Sequence, residues 1–449
     1  MRLTNCIRPF ATLAVLLSAA APAVAQMEHA PPAREVDGLT AQPIDILRLE
    51  GSIVFNVETK EAVAVADLWF RTGAAGTPVF DLRQPLITAA TLDGAGIDPM
   101  IISKHEFGEN TGTMRILQVE LEAGTEHHLH LEYPLQKPES PEAQEIGWAD
   151  GGVHWDTWFS DLNQGRYLEM WFPANLLYDQ HPFTLTLQVV GADEDHELIT
   201  NATVQELDEH HWKLDFPPTY TAFSPMVVVI PESRVERSQS VAKLEGGRNI
   251  RVDVTRLKET RVTLQQVHEA TAQALQDFSD SMGPWPHGDR CTVFVWTGGR
   301  SMEYDGATTT SMGALRHELF HSWFGRGAKP ASQNGGWWDE AWNVYFCDGR
   351  RPRGNAVERE GAPLTLSSSD PWNRVTPGAS YMAGSFFFGR VAHVMGEDAL
   401  IAAMAEFFQD YSPNPASTAQ LVDKVVAAAG GKGAEVRALF DRYVYGRGR

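Results

Sequence analysis

Two histidines and a glutamate in this sequence have the spacing of metal ligands. The segment HELFH at residues 317–321 places His317 and His321 four positions apart, and Glu340 follows further along the chain. On a helix this spacing puts both imidazoles on one face, where they can reach a single ion. Two histidines and one carboxylate leave one zinc position open, which is typical of catalytic rather than structural sites. The sequence therefore predicts a site for one zinc ion at His317, His321 and Glu340.

Glu318 lies next to the first histidine, and its position on the helix turns it away from the ligand face. It is placed for acid/base work on a water molecule at the metal rather than for binding the ion. The same letters could arise by chance in a buried amphipathic helix. The segment GGWWDEAWN at residues 335–343, which carries Glu340, favours the zinc site. In that segment Asp339 and Asn343 could orient a zinc-bound histidine, although Asp339 could equally cap the helix.

Composition and charge limit the function classes. The chain has 449 residues, of which 43% are hydrophobic and 21% charged, and this length is enough for two or three globular domains. A formal net charge of −21 disfavours nucleic-acid binding. Two of the three cysteines, Cys291 and Cys347, lie in the second half of the chain and could pair in an oxidising compartment or stay as free thiols.

The amino-terminal segment has the features of an export signal. Arg2 and Arg8 precede an apolar run, and the small residues at 23–25 fit a cleavage site before Gln26. We expect residues 1–25 to be removed and the protein to be periplasmic or secreted. No later segment is apolar over the length that a membrane span requires, so none is predicted.

The sequence pattern changes character near residue 241. After a flexible lead-in at residues 26–40, strand-like segments separated by turn residues occur at residues 53–57, 63–70, 116–121, 127–133, 183–190, 212–216 and 226–230. Short strands without intervening helices predict an antiparallel β-sandwich or saddle over residues 41–241. Residues 242–449 have mainly helical spacing, with predicted helices at 262–282, 311–324, 337–347, 379–394, 400–408, 419–429 and 434–444. The fold class predicted is therefore α+β.

With these residues in view, the chain resembles the aminopeptidase N and leukotriene-hydrolase family of zinc metallopeptidases, the gluzincins. HELFHSWFG at residues 317–325 is similar to that family's zinc helix, and WWDEAWN at 337–343 stands at its tryptophan-leucine-asparagine-glutamate-glycine signature. RSMEY at 300–304 corresponds to its glycine-alanine-methionine-glutamate-asparagine motif, and WFPANLLYDQHPFTLTL at 171–187 looks like its phenylalanine-proline segment. The resemblance covers about residues 44–449. It implies a thermolysin-like zinc peptidase domain at 242–449, in a short form that lacks the family's carboxy-terminal helical domain.

The resemblance also implies roles for two further residues. Tyr381, in SYMAGSFFFGRV, lies at the position of the family's transition-state tyrosine, and Glu303 corresponds to the glutamate that holds the substrate's free α-amino group. Arg326 replaces an asparagine after the zinc helix, and three of the five residues of the amine motif differ. A second amine-binding residue is expected just before the phenylalanine-proline segment, where Ser160, Asp161 and Gln164 are the candidates.

Together these patterns predict an exported zinc metallopeptidase that hydrolyses peptide bonds, as an aminopeptidase, with Glu318 as general base and Tyr381 stabilising the oxyanion. A zinc endopeptidase or a glycyl-aminopeptidase-like enzyme is the first alternative. A protein that keeps the fold and binds peptides without cutting them is the second. Peptide substrate is the expected partner, and the sequence leaves the oligomeric state open.

Overall fold

The structure is a computed structural model that describes residues 27–149, 151–297, 300–349 and 362–447. The export signal expected at residues 1–25 lies outside these ranges. None of the helices within them combines the length and the apolar character that crossing a bilayer requires.

The amino-terminal half of the described chain is built from strands. They are β1 Arg34–Val36, β2 Leu39–Asn56, β3 Glu61–Thr72, β4 Thr77–Phe80, β5 Ala89–Leu92, β6 Ala95–Ile97, β7 Ile102–Glu106, β8 Thr113–Leu117, β9 His127–Pro134, β10 Gly147–Ala149, β11 Gly152–Asp156, β12 Phe183–Val190, β13 His196–Thr200, β14 Thr203–Asp208, β15 His211–Phe216 and β16 Val227–Pro231. The larger sheet follows the order β14-β15-β12-β2-β3-β9-β5-β6, with β1 and β4 paired to β2, β8 paired to β4, and β7 paired to β8. The smaller sheet follows the order β10-β11-β16-β13.

The two sheets share one apolar core, as a sandwich requires. In β12 the residues Phe183, Leu185, Leu187 and Val189 are buried, and the polar residues between them are half-buried. This alternation is the pattern of a strand that packs one face on the core. Val227–Pro231 of the smaller sheet is buried throughout, and its valines and Ile230 join the same core. The sheet-rich amino-terminal domain predicted for this half is therefore present.

The prediction that this half is antiparallel was wrong at two pairings. β2 pairs in parallel with β12 along residues 49–56 and in parallel with β4 at residues 41–43. Only a tight hairpin forces neighbouring strands to run antiparallel, and the chain reaches β12 through a long connection after β11. The sequence pattern gives the face of each strand but not its direction.

The lead-in expected to be flexible is folded in its described part. β1 pairs with the start of β2 through a turn at Asp37 and Gly38, whose φ angles are +52° and +82°. Aspartate followed by glycine favours such a turn, because both residues tolerate positive φ. The lead-in is thus held at the edge of the larger sheet.

The carboxy-terminal half combines a five-stranded sheet with helices. Its elements are β17 Val235–Lys243, β18 Asn249–Leu257, α1 Leu264–Met282, β19 Arg290–Val295, β20 Met302–Tyr304, β21 Ala307–Thr310, α2 Leu315–Phe320, β22 Lys329–Pro330, α3 Trp337–Phe346, α4 Met382–Met395, α5 Glu397–Tyr411, β23 Pro415–Ala416, α6 Thr418–Ala428 and α7 Gly433–Tyr443. The sheet order is β17-β18-β19-β21-β20. β17 runs across residue 241, the predicted end of the first domain, because all of it pairs with β18.

The helix α2 is shorter than the predicted helix at residues 311–324. After Phe320 the backbone amides of Ser322 and Trp323 bond to carbonyls three residues back, which tightens the last turn. Gly325 then adopts a φ of +99°, which ends the helical path. His321 keeps helical angles of −57° and −20°, so the four-residue spacing from His317 still places both side chains on one face.

Candidate active site

The three predicted metal ligands converge at one point of a cleft. One ligand atom from each of His317, His321 and Glu340 lies within 4.8 Å of the other two. Glu340 Oε2 is 3.5 Å from His317 Nε2 and 3.7 Å from His321 Nε2. The cleft has a volume of about 460 Å³, and its lining also includes the other predicted site residues, Glu303, Glu318 and Tyr381. The fold thus brings together all six residues predicted for metal binding, catalysis and binding of the substrate's amino group.

Two aspartates hold the imidazoles from behind. Asp339 Oδ1 lies 2.7 Å from His321 Nδ1, and Asp348 Oδ1 lies 3.1 Å from His317 Nδ1. Each Nδ1–H can donate to a carboxylate, which leaves each Nε2 to face Glu340 with its lone pair. Asn343 donates instead to the backbone carbonyl of His317, at 2.9 Å. Asp339 therefore orients a histidine, as one of its two predicted roles required.

A glycine makes the contact of Asp339 possible. A Cβ at Gly325 would lie 2.0 Å from Asp339 Oδ2, and the φ of +99° at Gly325 is itself a conformation that favours glycine. The turn after His321 can therefore pass directly over the aspartate that orients this histidine. No other residue type fits there without moving one of the two segments.

Apolar packing sets the rotation of α3. Trp337, Trp338, Ala341 and Trp342 are fully buried on the core side of this helix. Their burial fixes the helix, so that Glu340 faces α2 and the cleft. The tryptophans thus act through packing, and the carboxylate between them is positioned by the helix they anchor.

Tyr381 reaches the site because α4 lies unusually close to α3. A Cβ at Gly384 would lie 2.5 Å from the Cβ of Ala341, so this approach needs a glycine. Tyr381 stands at the start of α4, and its hydroxyl donates to Glu340 Oε1 at 2.6 Å. Burial, together with the Glu340 charge, raises the pKa of Tyr381 well above its usual value. The hydroxyl therefore keeps its proton and acts as a hydrogen-bond donor.

Carboxylates dominate the electrostatics of the cleft. Burial raises the pKa of Glu318 to about 8, and the charge of Glu303 adds to the rise. Burial lowers the pKa of His317, but the nearby carboxylates of Asp348 and Glu340 outweigh it and raise that pKa to about 10. The pKa of His321 is raised in the same way, because the charges of Asp339 and Glu303 outweigh burial. The site thus calls for positive charge, which a divalent cation would supply.

The donor set fits a zinc ion. Glu340 Oε2 is buried and has no hydrogen-bond partner in the described part of the chain, although it faces both Nε2 atoms. A buried carboxylate oxygen without a partner is costly, and metal coordination is one way to satisfy it. Two imidazole nitrogens and one carboxylate are ligands that zinc prefers, with a position left for water or substrate. His317, His321 and Glu340 would hold the ion.

Glu303 lies in the cleft and is paired with a buried arginine. Arg326 Nη2 is 2.9 Å from Glu303 Oε1 and 3.5 Å from Asp161 Oδ1. Tyr167 also donates to Asp161 Oδ1, at 2.7 Å. Of the candidates for a second amine-binding residue, Ser160 and Asp161 line the cleft, and Asp161 brings a carboxylate within 4.8 Å of Glu303 and Glu340.

Sequence reasoning missed Asp348 and the pairing of Arg326. Asp348 follows α3 and lies two helical turns beyond Glu340, so an acidic residue on the ligand face was the available signal. The position of Arg326 was noted only as a departure from a family pattern. Its two carboxylate partners lie 23 and 165 positions away, a separation that no local pattern reveals. Cys291 and Cys347, left open by the sequence, are both free thiols.

Comparisons with known proteins find the chain's likeness in structure rather than in sequence. No protein-family profile matches the chain, and no curated protein matches it either. Among solved structures, an M1 zinc metallopeptidase from Deinococcus radiodurans aligns with a TM-score of 0.64 at 17% identity, covering 92% of this chain and 95% of that one. A mutant of that enzyme bound to a Tyr-Ser-Ala substrate aligns with a TM-score of 0.63 at 18% identity, covering 90% and 95%.

A longer enzyme shows the same likeness. Legionella pneumophila aminopeptidase A in complex with aspartic acid aligns with a TM-score of 0.63 at 12% identity, covering 92% of this chain and 51% of that chain. At such identities the alignments show a shared fold, namely a sheet-rich amino-terminal half followed by a helical region. The two-domain α+β architecture predicted from the sequence is thus that of M1 zinc metallopeptidases.

Proposed function

We propose that this protein is a zinc-dependent metallopeptidase that removes residues from the amino end of peptides. The observation that carries the proposal is the convergence of His317, His321 and Glu340, with a buried and unpartnered oxygen of Glu340 facing both imidazoles. The folds of the solved M1 zinc metallopeptidases support it. One of those proteins is described as bound to a Tyr-Ser-Ala substrate, which suggests short peptides as the substrate class here too.

The mechanism assigns separate tasks to the residues of the cleft. Bound zinc supplies Lewis-acid polarisation of the scissile carbonyl and makes water a nucleophile near neutral pH. Glu318 takes the proton from the attacking water and delivers it to the departing amine. Tyr381 turns its hydroxyl from Glu340 to the oxyanion that develops as the carbonyl is attacked. Glu303 receives the ammonium group of the first residue, with Asp161 beside it.

Substitution of Glu318 tests the mechanism. The Glu318→Gln variant keeps the size of the side chain and loses the base, so we expect zinc to stay bound and hydrolysis to fall by at least about 10²-fold. The assay is digestion of a peptide library, read by mass to show which bonds are cut and from which end. Glu269→Gln, at an exposed glutamate of α1, is the matched control and should keep full activity. Unchanged turnover in Glu318→Gln would remove Glu318 from this role.

The same digest separates the alternatives. Cleavage restricted to peptides with a free amino terminus supports an aminopeptidase. Cleavage of amino-blocked peptides in their interior would instead indicate an endopeptidase. Binding of peptides to the zinc-loaded protein without any cleavage would indicate a peptide-binding protein that has kept the fold.

Export is part of the proposal, since residues 1–25 have the features of a signal peptide. A periplasmic or secreted enzyme would meet short peptides outside the cytoplasm. Amino-terminal sequencing of the protein recovered from cell fractions tests this point. A mature chain that begins at Gln26 and is absent from the cytoplasm is the expected result, and an intact Met1 in the cytoplasm would contradict it.

A further inference from the structure

Arg326 is a buried charged side chain that lies behind two carboxylates of the cleft lining, Glu303 and Asp161, and does not itself line the cleft. It is only 1% exposed, and its guanidinium packs 3.7 Å from the centre of the Phe223 ring. Its nearest carboxylate contacts are Glu303 Oε1 and Asp161 Oδ1. A buried arginine between two carboxylates compensates their charges and orients them, because its planar group presents donors in fixed directions.

Each of the two carboxylates accepts side-chain hydrogen bonds from the protein at one oxygen, which leaves its other oxygen available. Arg326 contacts Oε1 of Glu303, and both Arg326 and Tyr167 contact Oδ1 of Asp161. The hydrogen bonds that other side chains donate to these two carboxylates go to Oε1 of Glu303 and Oδ1 of Asp161, and none goes to Oε2 or Oδ2 within the described part of the chain. Both side chains line the cleft that contains the ligand residues. The two oxygens left over can therefore accept hydrogen bonds from a group in the cleft.

The cluster of Glu303, Asp161 and Arg326 carries one uncompensated negative charge, which a single cation can neutralise. Two carboxylates and one guanidinium carry a single net negative charge, whereas the two carboxylates alone would repel each other across less than 5 Å. A primary ammonium has one positive charge and several donors, so it matches both the charge and the two remaining acceptors.

We propose that Arg326 is a positioning residue for the substrate's amino terminus: it holds one oxygen of Glu303 and one of Asp161, so that the other two form a receptor for a single ammonium. This inference rests on the proposed aminopeptidase function and deepens it. The side chain of Arg326 acts through the two carboxylates and touches neither the substrate nor the side chains of the proposed metal ligands; only its backbone N–H bonds a ligand residue, at the carbonyl of His321.

Calorimetry on a catalytically silent background tests the receptor directly. In zinc-loaded Glu318→Gln protein, tri-alanine should bind about tenfold or more tightly than its des-amino analogue, propionyl-alanyl-alanine, because only tri-alanine carries the ammonium. Adding Arg326→Gln should reduce this preference at least about fivefold and leave the affinity for the des-amino analogue unchanged. Arg326→Lys keeps the charge and should restore part of the preference.

Two further variants separate positioning from a purely structural effect. Arg115→Gln removes another buried arginine, one that donates to backbone carbonyls far along the chain, and it should leave the preference unchanged. If Arg326→Gln does not fold, Asp161→Asn tests the same receptor, because it removes one carboxylate at constant size and should also reduce the preference.

The outcomes distinguish this inference from the proposed function. A full preference for tri-alanine in folded Arg326→Gln, or in Asp161→Asn if the former does not fold, would overturn the role of Arg326. A parent protein without any preference would overturn the receptor as a whole. Hydrolysis of tri-alanine by the wild-type enzyme is a separate measurement. An enzyme that binds tri-alanine through its ammonium and does not hydrolyse it would contradict the peptidase proposal.

Discussion

Asp339 and Asp348 each bond the Nδ1 of one zinc-site histidine, and both are carboxylates rather than amides. Their negative charge would strengthen the histidines as ligands of the proposed zinc ion, and their contacts with Nδ1 leave Nε2 of each ring to face that ion. Asparagine at either position would keep an acceptor oxygen and lose the charge. The charge and the geometry of the support can therefore be separated by substitution.

We predict that Asp339→Asn and Asp348→Asn each lower the affinity for zinc by about 10–100-fold, as loss of such support typically does. Competition with a chromogenic chelator measures this affinity without reference to catalysis. Asp423→Asn, at an aspartate paired with Arg437 on the surface, is the control and should bind zinc as the parent does. Parent-like affinity in both site variants would show that the two aspartates do not tune the metal.

At the scale of elements, the contact between α3 and α4 decides where Tyr381 lies. We predict that Gly384→Ala separates the two helices, weakens the hydrogen bond of Tyr381 to Glu340 and lowers turnover. Overpacking of this kind costs about 1–3 kcal/mol, so the midpoint of thermal unfolding should fall as well. Steady-state kinetics and thermal unfolding check the two effects.

A matched pair of variants makes the helix contact specific. Gly378→Ala, just before Tyr381, meets no heavy atom within 4 Å and should be neutral. The double variant Gly384→Ala with Ala341→Gly removes the clashing methyl group and should recover most of the turnover. A Gly384→Ala enzyme with parent stability and turnover would show that the close approach is not needed.

Local sequence patterns predicted the helices of this site better than the contacts between residues that are far apart in sequence. The spacing of His317 and His321 placed both on one face, and the tryptophan-rich segment predicted α3, because both signals lie within one helix. The length of α2 was overestimated, because the helix begins only at Leu315 and its backbone tightens to three-residue hydrogen bonds after Phe320. The parallel partners of β2 and the pairing of Arg326 with Asp161 join residues far apart in sequence, so periodicity carried no information about them.

At the scale of the whole molecule, the cleft depends on both halves of the chain. Arg374, from the helical half, bonds Asp81 and Glu169 of the sheet half at 2.6 and 2.5 Å, and all three side chains are buried. Shortly after, the backbone of Thr376 donates to the carbonyl of Asp161. The segment that leads to Tyr381 is therefore tied to the segment that carries Asp161. This explains how carboxylates from both halves face one cleft.

Acid should destabilise the folded protein through His181. This histidine is 4% exposed, and burial lowers its pKa from 6.5 to about 4. Between those values the unfolded chain binds a proton that the folded protein excludes. His181 therefore makes its full contribution to the free energy of unfolding above about pH 6.5. This contribution falls by about 3 kcal/mol as the pH is lowered from 6.5 to about 4.

Denaturant unfolding at several pH values measures this contribution. We predict that His181→Gln, which cannot take up the proton, flattens the dependence of the free energy of unfolding between pH 6.5 and 4. The comparison uses the slope, so a uniform loss of stability in the variant does not obscure it. Equal slopes in wild type and variant would contradict the assignment.

The metal site is the central claim, and anomalous diffraction at the zinc edge from crystals of the zinc-loaded protein tests it most directly. The account predicts one strong peak, bounded by Nε2 of His317, Nε2 of His321 and Oε2 of Glu340. No peak at that point, or a single peak at the exposed group Asp195, Glu209 and His210, would contradict it.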